Sequence, residues 1–169
     1  MTIKDIKYSD LLKRNSDLAE SLPKMRYKIR VLSNIITSQL NEILEYTLRM
    51  NDTPAIVKSG DYDNIVQDSL KYNDSNTVII FWEICNIIDG FQFKIELLND
   101  NQLSKILEKT KSEIDLVLKN LEKTSLILIN KFTSLHFSSY NIRKNNFGGI
   151  MYTLNCKAVG GPCRGGGGS

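Results

Sequence analysis

The sequence predicts an α/β fold, a three-layer sandwich around a parallel sheet of four to five strands, and three observations carry that expectation. Short apolar or alternating runs at residues 27–33, 53–59, 77–82 and 125–129 are interleaved with segments of helical period. The run 77–82, TVIIFW, is apolar throughout, the pattern of a strand covered on both faces and placed near the middle of a sheet. A long helical segment separates the last two strands, and such a connection implies parallel strands joined by a right-handed crossover.

In chain order, Ile3, Ile6, Leu11, Leu12, Leu18 and Leu22 recur at roughly helical spacing, giving an N-terminal helix over residues 1–22 that Pro23 stops. YKIRVLS at 27–33 alternates, with Ile29 and Val31 on one face, and reads as a strand. Thr37 or Ser38 suits the N-cap of a helix bearing Leu40, Ile43, Leu44, Thr47 and Leu48, with Glu42 in its first turn. Asn51, Asp52 and Pro54 end it. TPAIVKS at 53–59 is the second strand, followed by the turn Gly60-Asp61-Tyr62-Asp63, a short helix over 64–70 and a loop, KYNDSN. After the TVIIFW strand, Leu103, Ile106, Leu107, Ile114, Val117, Leu118 and Leu121 mark an amphipathic helix over 102–121. SLILI at 125–129 is the fourth strand.

The chain has 169 residues, and its 22 Lys and Arg against 19 Asp and Glu give a net charge of only +3. The lysines at 105, 109, 111, 119 and 123 are interleaved with Glu108, Glu113, Asp115 and Glu122, which reads as a solvated helix face. Nucleic acid and membrane are therefore not expected partners. The N-terminus holds no continuous apolar stretch of signal-peptide type, so a cytoplasmic location is expected. Eight of the ten glycines lie between Gly148 and Ser169. The expectation is one α/β domain over residues 1–155 and a flexible Gly-rich tail over 156–169, an engineered linker or fusion remnant. Cys156 and Cys163 lie in that tail without the further ligands of a zinc site, and a small redox loop between them stays open.

In an open parallel sheet, ligands bind beyond the carboxyl ends of the strands. The rim candidates are therefore Ser33, Asn34, Gly60, Asp61 and Glu83, with the segment from Asn130 onward. None of these segments carries GxGxxG, a Walker A sequence or a GxSxG elbow. His136, the one histidine, follows the fourth strand and needs a paired nucleophile before it can act as a base. Asp61, Asp63, Asp68 and Asp74 crowd one segment without EF-hand order, and turn and capping chemistry accounts for them. Tyr62, Tyr72, Phe81, Trp82, Phe91 and Phe93 suit either core packing or a groove. No cofactor or metal is expected in this chain.

The stretch YKIRVLSNIITSQLNEILEYTLRM, the turn GDYDN with IVQDSL, the Tyr72-Asn73-Asp74-Ser75 loop and TVIIFWEICNII resemble, in this order, the N-terminal domain of FkbH-like proteins, in subfamily IIIC of the haloacid-dehalogenase (HAD) superfamily. The resemblance is clear from Tyr27 to about Leu98 and loose up to Asn155. It implies a flavodoxin-like or SGNH-hydrolase-like fold. In SGNH hydrolases a Gly-Asp-Ser turn after the first strand supplies the nucleophile, whereas this chain has Ser33-Asn34-Ile35, with Ile35 in the nucleophile's place. Thr133, Ser134 and Leu135 precede His136, so the Asp-x-x-His motif is missing too.

Full-length FkbH-like proteins add a phosphatase-like domain with a magnesium-binding Asp-x-Asp motif. Asp61 and Asp63 form D-Y-D, but Asn64-Ile65-Val66 follow where that motif leads into Asn/Gly-Thr-Leu. The resemblance thus implies a truncated, non-catalytic accessory domain, with magnesium expected only in the missing phosphatase-like domain. Relatives act in glyceryl transfer to an acyl carrier protein, or in surface-polysaccharide and secondary-metabolite biosynthesis. The expected partners are the missing C-terminal domain and an acyl carrier protein, itself acidic, met by Lys58, Lys71 and Arg143. The competing readings are a divergent SGNH-type esterase using Ser33, His136 and Glu83, and a carrier-protein binding module. The accessory reading predicts that Ser33 caps the following helix or bonds nearby loops and that His136 does not reach it.

Overall fold

The computed structural model describes residues 6–23, 26–88, 90–94 and 97–132. Ile3, His136, Arg143, Asn155, Cys156 and Cys163 lie outside the described residues, as does the whole tail, so the expectations placed on them are not addressed by the structure. The elements run α1 (Tyr8–Ser21), β1 (Tyr27–Ser33), α2 (Ser38–Met50), β2 (Ala55–Ser59), α3 (Ile65–Lys71), β3 (Thr77–Phe81), α4 (Ile84–Ile87), α5 (Phe91–Lys94), α6 (Asp100–Asn120) and β4 (Leu126–Ile129).

All four strands are parallel, in the order β2-β1-β3-β4, with Ile29 opposite Val57 on one side and Thr77 on the other. The TVIIF strand is internal, as its unbroken apolar character predicts. Side chains along a strand alternate between faces, and each face meets its own helices. Val78 and Ile80 join Leu32, Ile65, Ile114, Val117 and Leu121 under α3 and α6. Ile29, Val31, Ala55 and Val57 instead meet Leu44 and Leu48 of α2, with Ile79 and Phe81 beside them. Helices on both faces of one parallel sheet make the three-layer α/β sandwich, and α1 packs outside on α2.

The boundaries differ from the periodicity in ways that have causes. Helix α1 starts at Tyr8, after Ile6, and stops at Ser21, ahead of Pro23. Strand β2 starts at Ala55, because Pro54 has no N–H to place in a ladder and takes its place in the preceding turn. Asp52 reverses the chain there in the left-handed region, at φ 56°. Trp82 falls outside β3, yet is buried as part of the core cluster that holds Val78 and Ile80. Helix α6 starts two residues earlier than its apolar stripe suggests. Asn99 and Gln102 form a capping box there, Asn99 Oδ1 accepting from the Gln102 N–H at 2.9 Å and Gln102 Oε1 from the Asn99 N–H at 3.0 Å. Among the described residues no helix is long and apolar enough to cross a membrane.

One polar network was not foreseen. Strand β2 is an edge, and its outward groups are taken by helix side chains. Glu45 Oε2 accepts from the Val57 N–H at 2.7 Å, and Arg49 Nε donates to the Ala55 carbonyl at 3.2 Å. Arg49 and Glu45 pair at 2.9 Å, and Arg49 Nη1 donates to both oxygens of Asn15 on α1. Burial pulls the Arg49 guanidinium below its usual range, and Glu45 opposes that shift. The network joins α1, α2 and β2 and denies that sheet edge to any other strand.

Candidate functional site

The crossover from β1 runs outward to β2 across one face of the sheet, and the crossover from β3 runs the other way to β4 across the opposite face. The carboxyl ends of β1 and β3 therefore flank the topological switch point, the place where sheets of this kind hold their ligands. Ser33 and Phe81 are opposite each other there, and Asn34 and Glu83 follow them.

Asn34 is fully buried in the gap. Its Oδ1 accepts from the Glu83 N–H at 2.7 Å, and its Nδ2 donates to the Glu83 carbonyl at 3.0 Å. A carboxamide has the same donor and acceptor as a peptide group, so this pair prolongs the ladder between β1 and β3 by one rung after the strands end. The Asn34 carbonyl is taken by Asn86 Nδ2 at 2.8 Å, and its N–H by the Phe81 carbonyl at 3.2 Å. Asn130 does the same job between β3 and β4: its Oδ1 accepts from the Trp82 N–H at 2.7 Å and its Nδ2 donates to the Trp82 carbonyl at 3.2 Å. Two asparagines thus close adjacent strand ends where a ligand would enter.

Ser33, the proposed nucleophile of the hydrolase reading, is buried, and its hydroxyl donates to the Ile35 carbonyl at 2.7 Å. The Thr37 hydroxyl lies 3.4 Å away. Thr37 is the N-cap of α2, though its side chain makes no cap hydrogen bond. Glu83 is the N-cap of α4, and its carboxylate accepts from the Cys85 N–H at 3.4 Å.

Gly60 and Asp61 meet Ser33 through the loop after β2, where the Asp63 N–H donates to the Ser33 carbonyl at 3.1 Å. Asp63 has φ 55°, so turn chemistry accounts for it, as expected. Asp68 needs a correction. It is neither a turn former nor a cap but a fully buried carboxylate that organises this loop. It accepts from the Asp61 N–H at 2.6 Å, from Asn64 Nδ2 at 3.2 Å and from Lys71 Nζ at 3.0 Å. Gly60 is required because a Cβ there would collide with the Asp68 carboxylate and with Leu32.

Lys71, expected to meet an acidic partner, is committed to Asp68 and to Asp61, the latter at 3.3 Å. The hydrogen bond to Asp68, followed by that to Asp61, raises the Lys71 pKa above its ordinary value. Lys58 is exposed, at the carboxyl half of β2. Asp74 sits apart, holding Lys28 at 3.1 Å, and Arg30 stacks on the Tyr72 ring at 4.2 Å. The aromatic candidates divide: Trp82 and Phe91 are core residues, whereas Tyr62 and Phe93 are exposed. Among the described residues, no three His, Cys, Asp or Glu side chains gather as a metal site would need.

The rim residues named from the sequence are therefore brought together, Asn34 against Glu83 and Ser33 against the Gly60–Asp63 loop. Asp68, Asn86 and the role of Asn130 escaped it. The signal for Asp68 was available in part, since Asp68 and Lys71 stand three apart on one helix face.

No protein-family model matches the chain, and no curated protein matches it either. Among solved structures the chain is similar to a crystal structure of the N-terminal part of the protein BF1531 from Bacteroides fragilis, containing a phosphatase domain complexed with Mg. The similarity has a TM-score of 0.63 at 15% identity and covers 92% of this chain. This chain spans 42% of that one, and at this identity the likeness is one of fold.

Proposed function

We propose that this domain is a non-catalytic accessory module, the N-terminal domain of an FkbH-like protein that works beside a magnesium-dependent phosphatase-like domain. The observation that carries the reading is the filled switch point: Asn34 spends its carboxamide on the Glu83 backbone where a ligand would sit, and Ser33 gives its hydroxyl to the Ile35 carbonyl. A nucleophile has to point its oxygen toward a substrate and a base, and neither demand is met by a hydroxyl turned into its own turn. The likeness in fold to the N-terminal part of a protein containing a phosphatase domain supports the reading at the level of architecture.

On this reading the chemistry, and the magnesium, belong to the phosphatase-like domain. The whole protein then acts in the cytoplasm, in glyceryl transfer to an acyl carrier protein or in surface-polysaccharide or secondary-metabolite assembly. An acidic carrier would meet exposed Lys58, since Lys71 is already paired. The test is hydrolysis of short-chain p-nitrophenyl esters by the purified chain. The expected result is the same background rate for the parent and for Ser33→Ala. Turnover that disappears in both Ser33→Ala and His136→Ala would overturn the accessory reading in favour of the hydrolase.

A further inference from the structure

Strand β2 is covered on one face and open on the other. Ala55 and Val57 point to the face on which α2 packs. On the opposite face α3 lies against β1, and Ile56, half-buried, belongs to neither core cluster, while Lys58 is exposed. The register sets Lys28 of β1 beside Ile56, and Arg30 beside Lys58. Alternation puts these four residues on the open face, since Ile29 and Val31 point to the other. Tyr72 borders the block, with the Arg30 guanidinium 4.2 Å from its ring centroid.

Like charges side by side on neighbouring strands repel each other. Nearby cations are matched: Lys71 by Asp68 and Asp61, and Lys28 by Asp74. Arg30 and Lys58 are different, because among the described residues neither has a carboxylate within ion-pair distance. The Tyr72 ring holds the Arg30 guanidinium in place without neutralising it. Cations gathered round a half-buried apolar residue, with a tyrosine at the border, have the composition of a protein contact surface, in which Arg and Tyr carry much of the energy.

We propose that this open face of β1 and β2 is the docking surface for a partner protein that presents an acidic helix. The inference rests on the accessory reading for there being a partner, and it adds where that partner sits and what it presents. The edge of β2 is already closed by Glu45 and Arg49, so the partner lies on the face and does not add a strand. Neighbouring strands are about 4.8 Å apart, close enough for one carboxylate to bridge Arg30 and Lys58. Lys28 is two residues back along β1, roughly 6.6 Å away, and carboxylates four apart on a helix repeat at about 6 Å, so a second one reaches it. An apolar side chain between the two carboxylates covers Ile56. Nucleic acid fits less well, because it calls for an extended run of phosphate contacts and exposed Asp61 and Asp74 flank these three cations. The contact is small, of the transient class below about 1,200 Å².

The probe is a fluorescent synthetic amphipathic helix with Glu residues four apart beside a stripe of Leu, titrated onto the full chain. Binding should weaken steeply as salt rises, and a carbodiimide should join the peptide to Lys58. Arg30→Gln with Lys58→Gln should lower the affinity about tenfold, whereas Lys105→Gln with Lys119→Gln, which removes the same charge from exposed positions of α6, should leave it within about twofold. Lys58→Glu alone, at an exposed side chain, should match the first double variant while keeping the parental urea midpoint. Equal losses in the two double variants would overturn the proposal, because the attraction would then belong to the overall charge of the chain. So would an absence of binding at low salt, or displacement of the peptide by an oligonucleotide more readily than by unlabelled peptide of equal charge, which would assign the block to nucleic acid. Ester turnover that depends on Ser33 would end the accessory reading and leave the contrast between the double variants untouched, so the two failures are told apart.

Discussion

Asn34 and Asn130 stand where two pairs of parallel strands part, and each replaces a missing rung of the ladder with its side chain. An aspartate would offer two acceptors and no donor to the facing carbonyl, and a serine would not span both groups. The cost of losing the carboxamide follows from what it leaves behind. Asn34→Ala strands the Glu83 N–H and C=O at a position with no solvent access, so it should destabilise the fold by roughly 1–3 kcal/mol. Urea denaturation measures this directly. If Asn34 instead held a ligand, stability would move little and binding would be lost. Asp68 acts in the same way at the end of β2, where three donors converge on one buried carboxylate and Gly60 leaves the space for it.

Helix α2 combines two tasks through residues four apart. Leu44 and Leu48 pack on the sheet, while Glu45 and Arg49 turn toward α1 and the free edge of β2. The ion pair is held at both ends by backbone groups, which is what makes a buried charge tolerable. Arg49→Met keeps the bulk but leaves Glu45 as an unpaired carboxylate and Asn15 without its donor. The expected loss is about 3–5 kcal/mol, read from the urea midpoint. Adding Glu45→Leu to that variant should recover only part of it, because the Val57 N–H then has no acceptor. Near-complete recovery would mean the pair does not guard the edge.

For the whole molecule, pH reports on the surface pairs that join loops to the sheet. Lys71 has its pKa raised by Asp68 and Asp61, so its contribution is fully present below the ordinary lysine value of 10.5 and is lost as pH rises through the folded-state value. Asp74 has its pKa lowered, first by the hydrogen bond from Lys28. Its contribution is present above the ordinary carboxylate value of 3.8 and is lost as pH falls through the folded-state value. Both groups are exposed, so each effect is modest. The urea midpoint should be level between these limits and decline beyond each. In Lys71→Met the alkaline decline should be shallower than in the parent while the acid limb is unchanged. An identical alkaline limb would show that the Asp68 pairing does not contribute to the decline.

By itself the sequence determined the four strands and the four longer helices of this fold, because their signals are local, while the single-turn helices α4 and α5 carry too few residues for a period to show. Period-two and period-3.6 apolar patterns, Pro23, Pro54 and the run TVIIF specify which segments are strands and which helices, and a long helix between apolar strands already demands a parallel sheet. It also placed Ser33, Asn34, Gly60, Asp61 and Glu83 at one rim, since the carboxyl ends of parallel strands share an edge. Only the tertiary structure decided the strand order, and with it which pair of ends flanks the switch point. What each polar side chain does there was decided in the same way. Asn34 meets Glu83 across forty-nine residues and Arg49 meets Asn15 across thirty-four. The identity of a hydrogen-bond partner at such separations depends on register, which no local pattern encodes. The buried Asp68 reads as an ordinary turn residue until the Asp61 N–H, Asn64 and Lys71 are seen around it.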